Sequence, residues 1–115
     1  MTVVIHYNPD CETSRNVVAI VRNAGHQPVI IEYLKTGWTV PQLQALFAAA
    51  DLTPRQALRV SNSPAAELGL LDESTTDEAL LAAMIKHPVL VNRPIVCTPK
   101  GVRLCRPSET VNALL

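Results

Sequence analysis

The sequence predicts an α/β fold with a mixed four-stranded sheet, flanking helices and a helical insertion. A βαβ pattern opens the chain, a ββα pattern closes it, and helical segments lie between the two. The chain has 115 residues, 48% of them hydrophobic. Because this length supports one hydrophobic core, we expect residues 1–115 to form a single domain.

The βαβ pattern begins with a strand over residues 3–7, which are rich in β-branched and aromatic side chains and end at the turn pair Asn8-Pro9. A helix is expected from Thr13 or Ser14, because both are good N-cap residues and apolar residues recur after them at helical spacing. Residues 28–33 predict the second strand. The helix between the strands permits a parallel right-handed crossover.

Threonines mark the starts of the helical segments in the middle of the chain. Thr39 is followed three residues later by Gln42, which is the pattern of a capping box. The pair Thr53-Pro54 predicts a short helical turn. Thr76 precedes two acidic residues and an apolar run, so it predicts a further helix that ends at Pro88.

The end of the chain predicts a hairpin and a closing helix. Apolar runs at residues 89–91 and 95–97 flank Asn92-Arg93-Pro94, and a turn then leads to a third run at residues 102–105. Pro107 is placed to open a final helix. The order βαβ, then helices, then ββα is the plan of a thioredoxin-like domain.

Charge and cysteine content exclude several classes of protein. Ten basic and ten acidic residues give a formal charge of zero, which favours neither nucleic-acid nor membrane binding. The longest apolar run, residues 79–85, is far shorter than the roughly 20 residues of a membrane span, and we expect a cytoplasmic protein. Three cysteines without paired spacing predict neither a disulfide framework nor a metal site, and no bound cofactor is expected.

Cys11 lies where a cysteine can act as a nucleophile, between the first strand and the first helix. Unpaired amide groups at a helix N-terminus favour a thiolate and also bind anions. Ser14 replaces the second cysteine of a C-x-x-C pair, so a mixed disulfide with an external thiol is the expected intermediate. Position 17 holds Val17 where cysteine phosphatase loops carry arginine, so an oxyanion would need distant arginines. The chain has seven, and the pattern alone does not choose among them.

Four segments together resemble the glutaredoxin-coupled arsenate reductases of the thioredoxin-like superfamily. Residues 8–16 resemble the cysteine loop of that family, residues 57–59 its central arginine segment, and residues 90–96 and 103–109 its C-terminal signature. The resemblance implies that Cys11 is the nucleophile of arsenate reduction, with glutathione as reducing co-substrate and glutaredoxin as partner. It further implies an oxyanion site of Arg59, Arg93 and Arg106, supported by Asn8, Thr13, Ser14 and Pro94, with a cis bond before Pro94.

The cysteine loop departs from the family pattern at three positions. The best-known members of the family carry a histidine before the Asn-Pro pair; this sequence has Tyr7 there, and His6 lies one residue earlier, on the opposite face of the strand. Asp10 and Glu12 flank the cysteine, and each carboxylate could oppose the thiolate by about 1 kcal/mol. Cys105 is expected to act as a packing residue or as a second reactive thiol.

Two other functions fit the same residues. A non-catalytic thioredoxin-like binding or regulatory module would not need a reactive Cys11. A glutathione-linked thiol transferase would need Cys11 but not all three arginines.

Overall fold

A four-stranded mixed sheet forms the frame of the first of two structural units. The computed structural model describes residues 1–115 and divides into a first unit of Met1–Thr36 and Arg93–Leu115 and a second unit of Gly37–Asn92. The second unit is therefore inserted in the sequence of the first. This agrees with the helical insertion that the sequence predicts.

The sheet has the strand order β2-β1-β3-β4. Its strands are β1 (Val4–Tyr7), β2 (Val29–Glu32), β3 (Ile95–Thr98) and β4 (Gly101–Leu104). β1 and β2 are parallel, whereas β3 is antiparallel to both β1 and β4. The predicted thioredoxin-like arrangement, a βαβ unit joined to a hairpin, is confirmed. The second strand is one residue shorter than expected at its C-terminal end, because Tyr33 begins a short helix, α2 (Tyr33–Thr36).

Helix α1 (Glu12–Asn23) covers one face of the sheet with its apolar side. It packs together with a 3₁₀-helix, Ser108–Leu114, which is the closing helix predicted after Pro107. The buried side chains of this core are Val3, Ile5, Val17, Val18, Val21, Val96, Cys105, Val111 and Leu114. This core is built entirely from the first unit.

The start of α1 corrects the prediction from sequence. The helix begins at Glu12 and has Cys11 as its N-cap, whereas Thr13 or Ser14 was expected in that position. The Cys11 backbone is extended, and its carbonyl accepts the hydrogen bond of Arg15 N–H at 3.1 Å. The Ser14 hydroxyl accepts a bond from Asn8 N–H and is buried inside the first turn. The cysteine is therefore part of the helix terminus.

The second unit contains helices α3 (Val40–Ala49) and α4 (Asp77–Lys86), which contact each other. The capping box of α3 forms as predicted: Gln42 N–H donates to the Thr39 hydroxyl, and Thr39 N–H donates to the Gln42 side chain. The Thr76 hydroxyl caps α4 by accepting from Ala79 N–H at 3.1 Å. The longest helix of the chain is α1 with 12 residues, and none has the length and apolar character needed to cross a bilayer.

The apolar run at residues 89–91 is a connection and not a strand of the sheet. Pro88–Leu90 form a 3₁₀-helix, and Val91 makes one isolated antiparallel bridge with Leu58. Proline at the start of the run lacks an N–H for a strand ladder and suits the first turn of a helix. A short apolar run does not by itself distinguish these two outcomes.

The N-cap of α4 gives a test of the second unit. Thr76→Ala removes the acceptor of the Ala79 N–H, so we expect the free energy of unfolding to fall by about 1 kcal/mol. Chemical denaturation measures the change. Thr76→Ser, which keeps a hydroxyl, should stay close to the parent. Equal losses in both variants would contradict a capping role.

Candidate active site

Asn8 organises the loop that connects β1 to α1. Its backbone N–H donates to the Ser14 hydroxyl at 3.4 Å, its carbonyl accepts from Cys11 N–H at 3.1 Å, and its side-chain oxygen accepts from Asp10 N–H at 2.9 Å. Asn8 is only 3% exposed. The Arg15 guanidinium closes the loop from outside by donating to the Pro9 carbonyl at 2.7 Å. The loop therefore presents Cys11 from a position fixed by several hydrogen bonds.

Two guanidinium groups of the first unit hydrogen-bond to the Cys11 sulfur. Arg106 Nη1 donates to Cys11 Sγ at 3.6 Å, and the same nitrogen donates to the Arg93 carbonyl at 2.8 Å. The Arg93 side chain also hydrogen-bonds the sulfur and is buried. Cys11 itself is 7% exposed. The predicted nucleophile and two of the three predicted arginines thus form one cluster.

This cluster lowers the pKa of the Cys11 thiol to about 6. Burial acts in the opposite direction, but the Ser14 main-chain amide, the two guanidiniums and the Ser14 hydroxyl together outweigh it. The hydroxyl oxygen of Ser14 accepts from Asn8 N–H, so its one proton is available to the sulfur. The carboxylates of Asp10 and Glu12 are exposed and are not among the groups that set this pKa. A large fraction of Cys11 is therefore thiolate at neutral pH.

The other two cysteines have the opposite character. Cys105 is fully buried in the core, and burial raises the pKa of its thiol to about 11. Cys97 lies in β3, and burial raises its pKa as well. The raised pKa values favour the packing role of Cys105 over a second reactive thiol, because a thiol must ionise to react.

Arg59 belongs to the second unit, where the pairing of residues 57–59 with residues 90–92 holds it. Arg59 N–H donates to the Leu90 carbonyl at 2.7 Å, and Asn92 N–H donates to the Ala57 carbonyl at 2.8 Å. Its guanidinium donates to the Ser61 carbonyl and to the Asn92 side chain. The cluster around Cys11 described above consists of first-unit residues only.

The remaining residues of the predicted site take different positions. Pro94 is buried and follows a cis peptide bond, as expected, and a second cis bond precedes Pro107, which the sequence did not indicate. Thr13 is half-buried in the first turn of α1. Tyr7, which replaces the family histidine, packs against the core of the first unit.

The hydrogen bond of the His6 side chain was not predicted from the sequence. Its Nδ1 lies 2.9 Å from the Ile95 carbonyl oxygen, and its side chain is buried. The alternation of strand side chains correctly predicts that His6 and Tyr7 face opposite sides. No pattern in a single sequence indicates which carbonyl a buried histidine will reach.

The sequence matches the ArsC family over residues 6–114. The chain belongs to the ArsC family. Its relatives include an arsenate reductase of Synechocystis, ArsI2, at 66% identity over 113 residues, which are 98% of this chain and 81% of the relative. Another is an arsenate reductase of Escherichia coli K12, at 47% identity over 98% of this chain and 80% of the relative. The solved structure of an arsenate reductase from Vibrio cholerae superposes with a TM-score of 0.94 at 40% identity, covering 100% of this chain and 98% of that one.

The low pKa of Cys11 can be tested by alkylation of this ArsC-family protein at a series of pH values. Because the folded-state pKa lies below that of a free thiol, the rate of reaction with iodoacetamide should rise through a midpoint near pH 6. The Cys11→Ser variant should lose this phase, since the raised pKa values of Cys97 and Cys105 keep them protonated there. A single midpoint at or above the roughly 8.5 of a free thiol would contradict the cluster.

The hydroxyl of Ser14 can be tested separately. Ser14→Ala removes one hydrogen bond to the sulfur, so we expect the alkylation midpoint to move upward by roughly half a pH unit, while the arginine contributions remain. Thr98→Ala is the matched control, because it deletes a hydroxyl of the same unit that bonds to the Leu114 carbonyl. An unchanged midpoint in Ser14→Ala would show that the hydroxyl does not act on the sulfur.

Proposed function

We propose that this ArsC-family protein reduces arsenate to arsenite, with the Cys11 thiolate as nucleophile and arginine side chains as the oxyanion site. The observation that carries the proposal is the shared contact of Arg93 and Arg106 with a cysteine sulfur of lowered pKa. Guanidinium groups are planar, permanently charged donors that bind two oxygens of a tetrahedral oxyanion at once. The arsenate reductases among its relatives support the same substrate.

The first step forms a bond between sulfur and arsenic. The Cys11 thiolate attacks As(V) of arsenate, and one oxygen of the arsenate leaves as water after taking up two protons in all, including the one that the thiol gave up. Arsenic remains As(V) in the adduct. Arg93 and Arg106 hold the oxygens and the negative charge on them as the sulfur loses its own charge.

The second step transfers two electrons to arsenic. The thiol of glutathione attacks the Cys11 sulfur of the adduct, the sulfur–arsenic bond breaks, and its electron pair stays on arsenic. The products are arsenite, now As(III), and a disulfide between Cys11 and glutathione. Glutaredoxin then takes up the glutathione by thiol–disulfide exchange, which restores the Cys11 thiol. We place this cycle in the cytoplasm, where thiols are kept reduced.

We include Arg59 in the oxyanion site as its third arginine. The proposal rests on the resemblance of residues 57–59 to the central arginine segment of the family. The backbone of this segment is fixed by its pairing with residues 90–92, and Arg59 is half-buried. A fixed backbone restricts where a long side chain can place its charge, which is what binding of a defined oxyanion requires.

A glutathione-linked thiol transferase is the second candidate. Its chemistry needs the Cys11 thiolate and the exchange steps, but it involves no oxyanion. The main-chain and hydroxyl groups of Ser14 already favour the thiolate, so a transferase has less need of two further guanidiniums at the sulfur. The arginine pair therefore favours the reductase.

Turnover of arsenate with glutathione and glutaredoxin tests the proposed function. Cys11→Ser should abolish turnover, and alanine at position 59, 93 or 106 should reduce it by about 10²-fold, because each removes one charge-stabilising donor. Arg103→Ala is the matched control. It removes an exposed guanidinium of the same C-terminal segment and should leave turnover unchanged.

Two outcomes would contradict the proposal. Arsenate turnover by Cys11→Ser at the parent rate would exclude the cysteine mechanism. Disulfide exchange with glutathione that is retained in all three arginine variants, combined with a parent that does not turn over arsenate, would identify a thiol transferase instead.

A further inference from the structure

His6 is a buried polar side chain that the proposed reaction does not use. It is 4% exposed, and its Nδ1 lies 2.9 Å from the carbonyl oxygen of Ile95. A carbonyl can only accept a hydrogen bond, so the ring carries a proton on Nδ1 and donates it to Ile95. Burial lowers the pKa of His6, so the ring is neutral at physiological pH.

Ile95, the hydrogen-bond partner of His6, lies at the end of the pairing between β1 and β3. His6 and Ile95 form the last pair of the β1–β3 ladder, and the chain on the far side of Ile95 is the Arg93–Pro94 segment. That segment has no further rung to β1. The side-chain bond of His6 therefore reinforces the sheet at the point from which Arg93 extends.

The carbonyls of the three successive residues 93–95 each accept a hydrogen bond from a different donor. The Arg93 carbonyl accepts from Arg106 Nη1, the Pro94 carbonyl accepts from Cys105 N–H at 2.9 Å, and the Ile95 carbonyl accepts from His6. Two of these donors come from the segment after β4, and His6 is the one supplied by β1. The His6 bond therefore adds a side-chain tie between the strand that leads to Cys11 and the start of the strand that follows Arg93.

We propose that His6 is a positioning residue of the active site: its bond to the Ile95 carbonyl fixes the start of β3, and thereby sets the place of the Arg93 guanidinium relative to the Cys11 sulfur. The role of Arg93 in oxyanion binding rests on the proposed function, whereas its contact with the sulfur does not. His6 does not touch the reacting atoms. It acts through Arg93, although it occupies a different face of β1 from the position where the family carries its histidine.

The test compares three substitutions by two measurements on the full chain. His6→Leu keeps an apolar side chain of similar size but removes the donor. His6→Asn keeps a donor, since its amide nitrogen is attached at the same bonded position as Nδ1. Ile5→Val trims the core on the other face of β1 and serves as a control for loss of stability alone. The measurements are the pH midpoint of Cys11 alkylation and the protection of Cys11 by sulfate, a tetrahedral oxyanion that is not reduced.

In His6→Leu we expect the alkylation midpoint to rise by about half a pH unit to one pH unit and sulfate to protect Cys11 about tenfold less well. A displaced Arg93 guanidinium would stabilise the thiolate less and would bind the oxyanion less tightly. His6→Asn should restore both values toward those of the parent. Ile5→Val should lower the melting temperature without changing either value. If His6→Leu does not fold, His6→Gln, which moves the donor one bond outward, should show the same two shifts relative to His6→Asn.

Parent values of midpoint and sulfate protection in a folded His6→Leu or His6→Gln would overturn the positioning role. A failure of the proposed function would look different. The parent would then bind sulfate and ionise Cys11 at low pH but would not turn over arsenate, and the dependence of the midpoint on His6 would still decide this proposal.

Discussion

The candidate active site depends on one guanidinium nitrogen, Nη1 of Arg106, which donates to both the Cys11 sulfur and the Arg93 carbonyl. A thiolate that is almost completely buried is unfavourable unless cationic or polar donors surround it. Arg106 meets this need directly, and its second bond ties the backbone of the other arginine to the same point. The sulfur and the two charges that stabilise it are therefore positioned as one unit.

The topology of the sheet explains why residues so far apart in sequence come together. β1 ends beside the loop that carries Cys11. Since β3 is antiparallel to β1, it begins at that same edge, two residues after Arg93, and β4 ends at the edge two residues before Arg106. The Cys11 thiol and the two guanidiniums are thus carried by segments that adjoin three strand ends. The short strands make the register at this edge important, because a slip of one residue would turn every side chain to the other face.

Much of this arrangement could be predicted from the sequence, and the misses have physical reasons. Strand composition, threonine caps and the hairpin turn are local signals, and they correctly indicated a mixed four-stranded sheet and the presence of α1, α3 and α4, whereas α2 was not predicted. The predicted start of α1 was wrong because the Ser14 hydroxyl, which is a good N-cap group, accepts a hydrogen bond from the backbone N–H of Asn8 instead. The choice among seven arginines required a family resemblance, because which cations converge depends on strand pairing. Likewise, the contact of His6 depends on the register of β1 and β3.

Tyr7 stands where the resembled family pattern has a histidine, and guanidinium groups are among the donors that lower the pKa of Cys11 here. A histidine that promotes ionisation loses its charge as the pH rises, whereas guanidinium groups stay charged throughout. With Cys11 ionised, one thiolate faces two guanidiniums, so a net positive charge remains on this cluster, and on the proposed function this charge attracts the oxyanion. In the proposed reaction the sulfur becomes neutral when it binds arsenic, and the negative charge moves to the oxygens of the adduct. The same two cations can stabilise both states, and for that reason the thiol can be activated here without a neighbouring histidine.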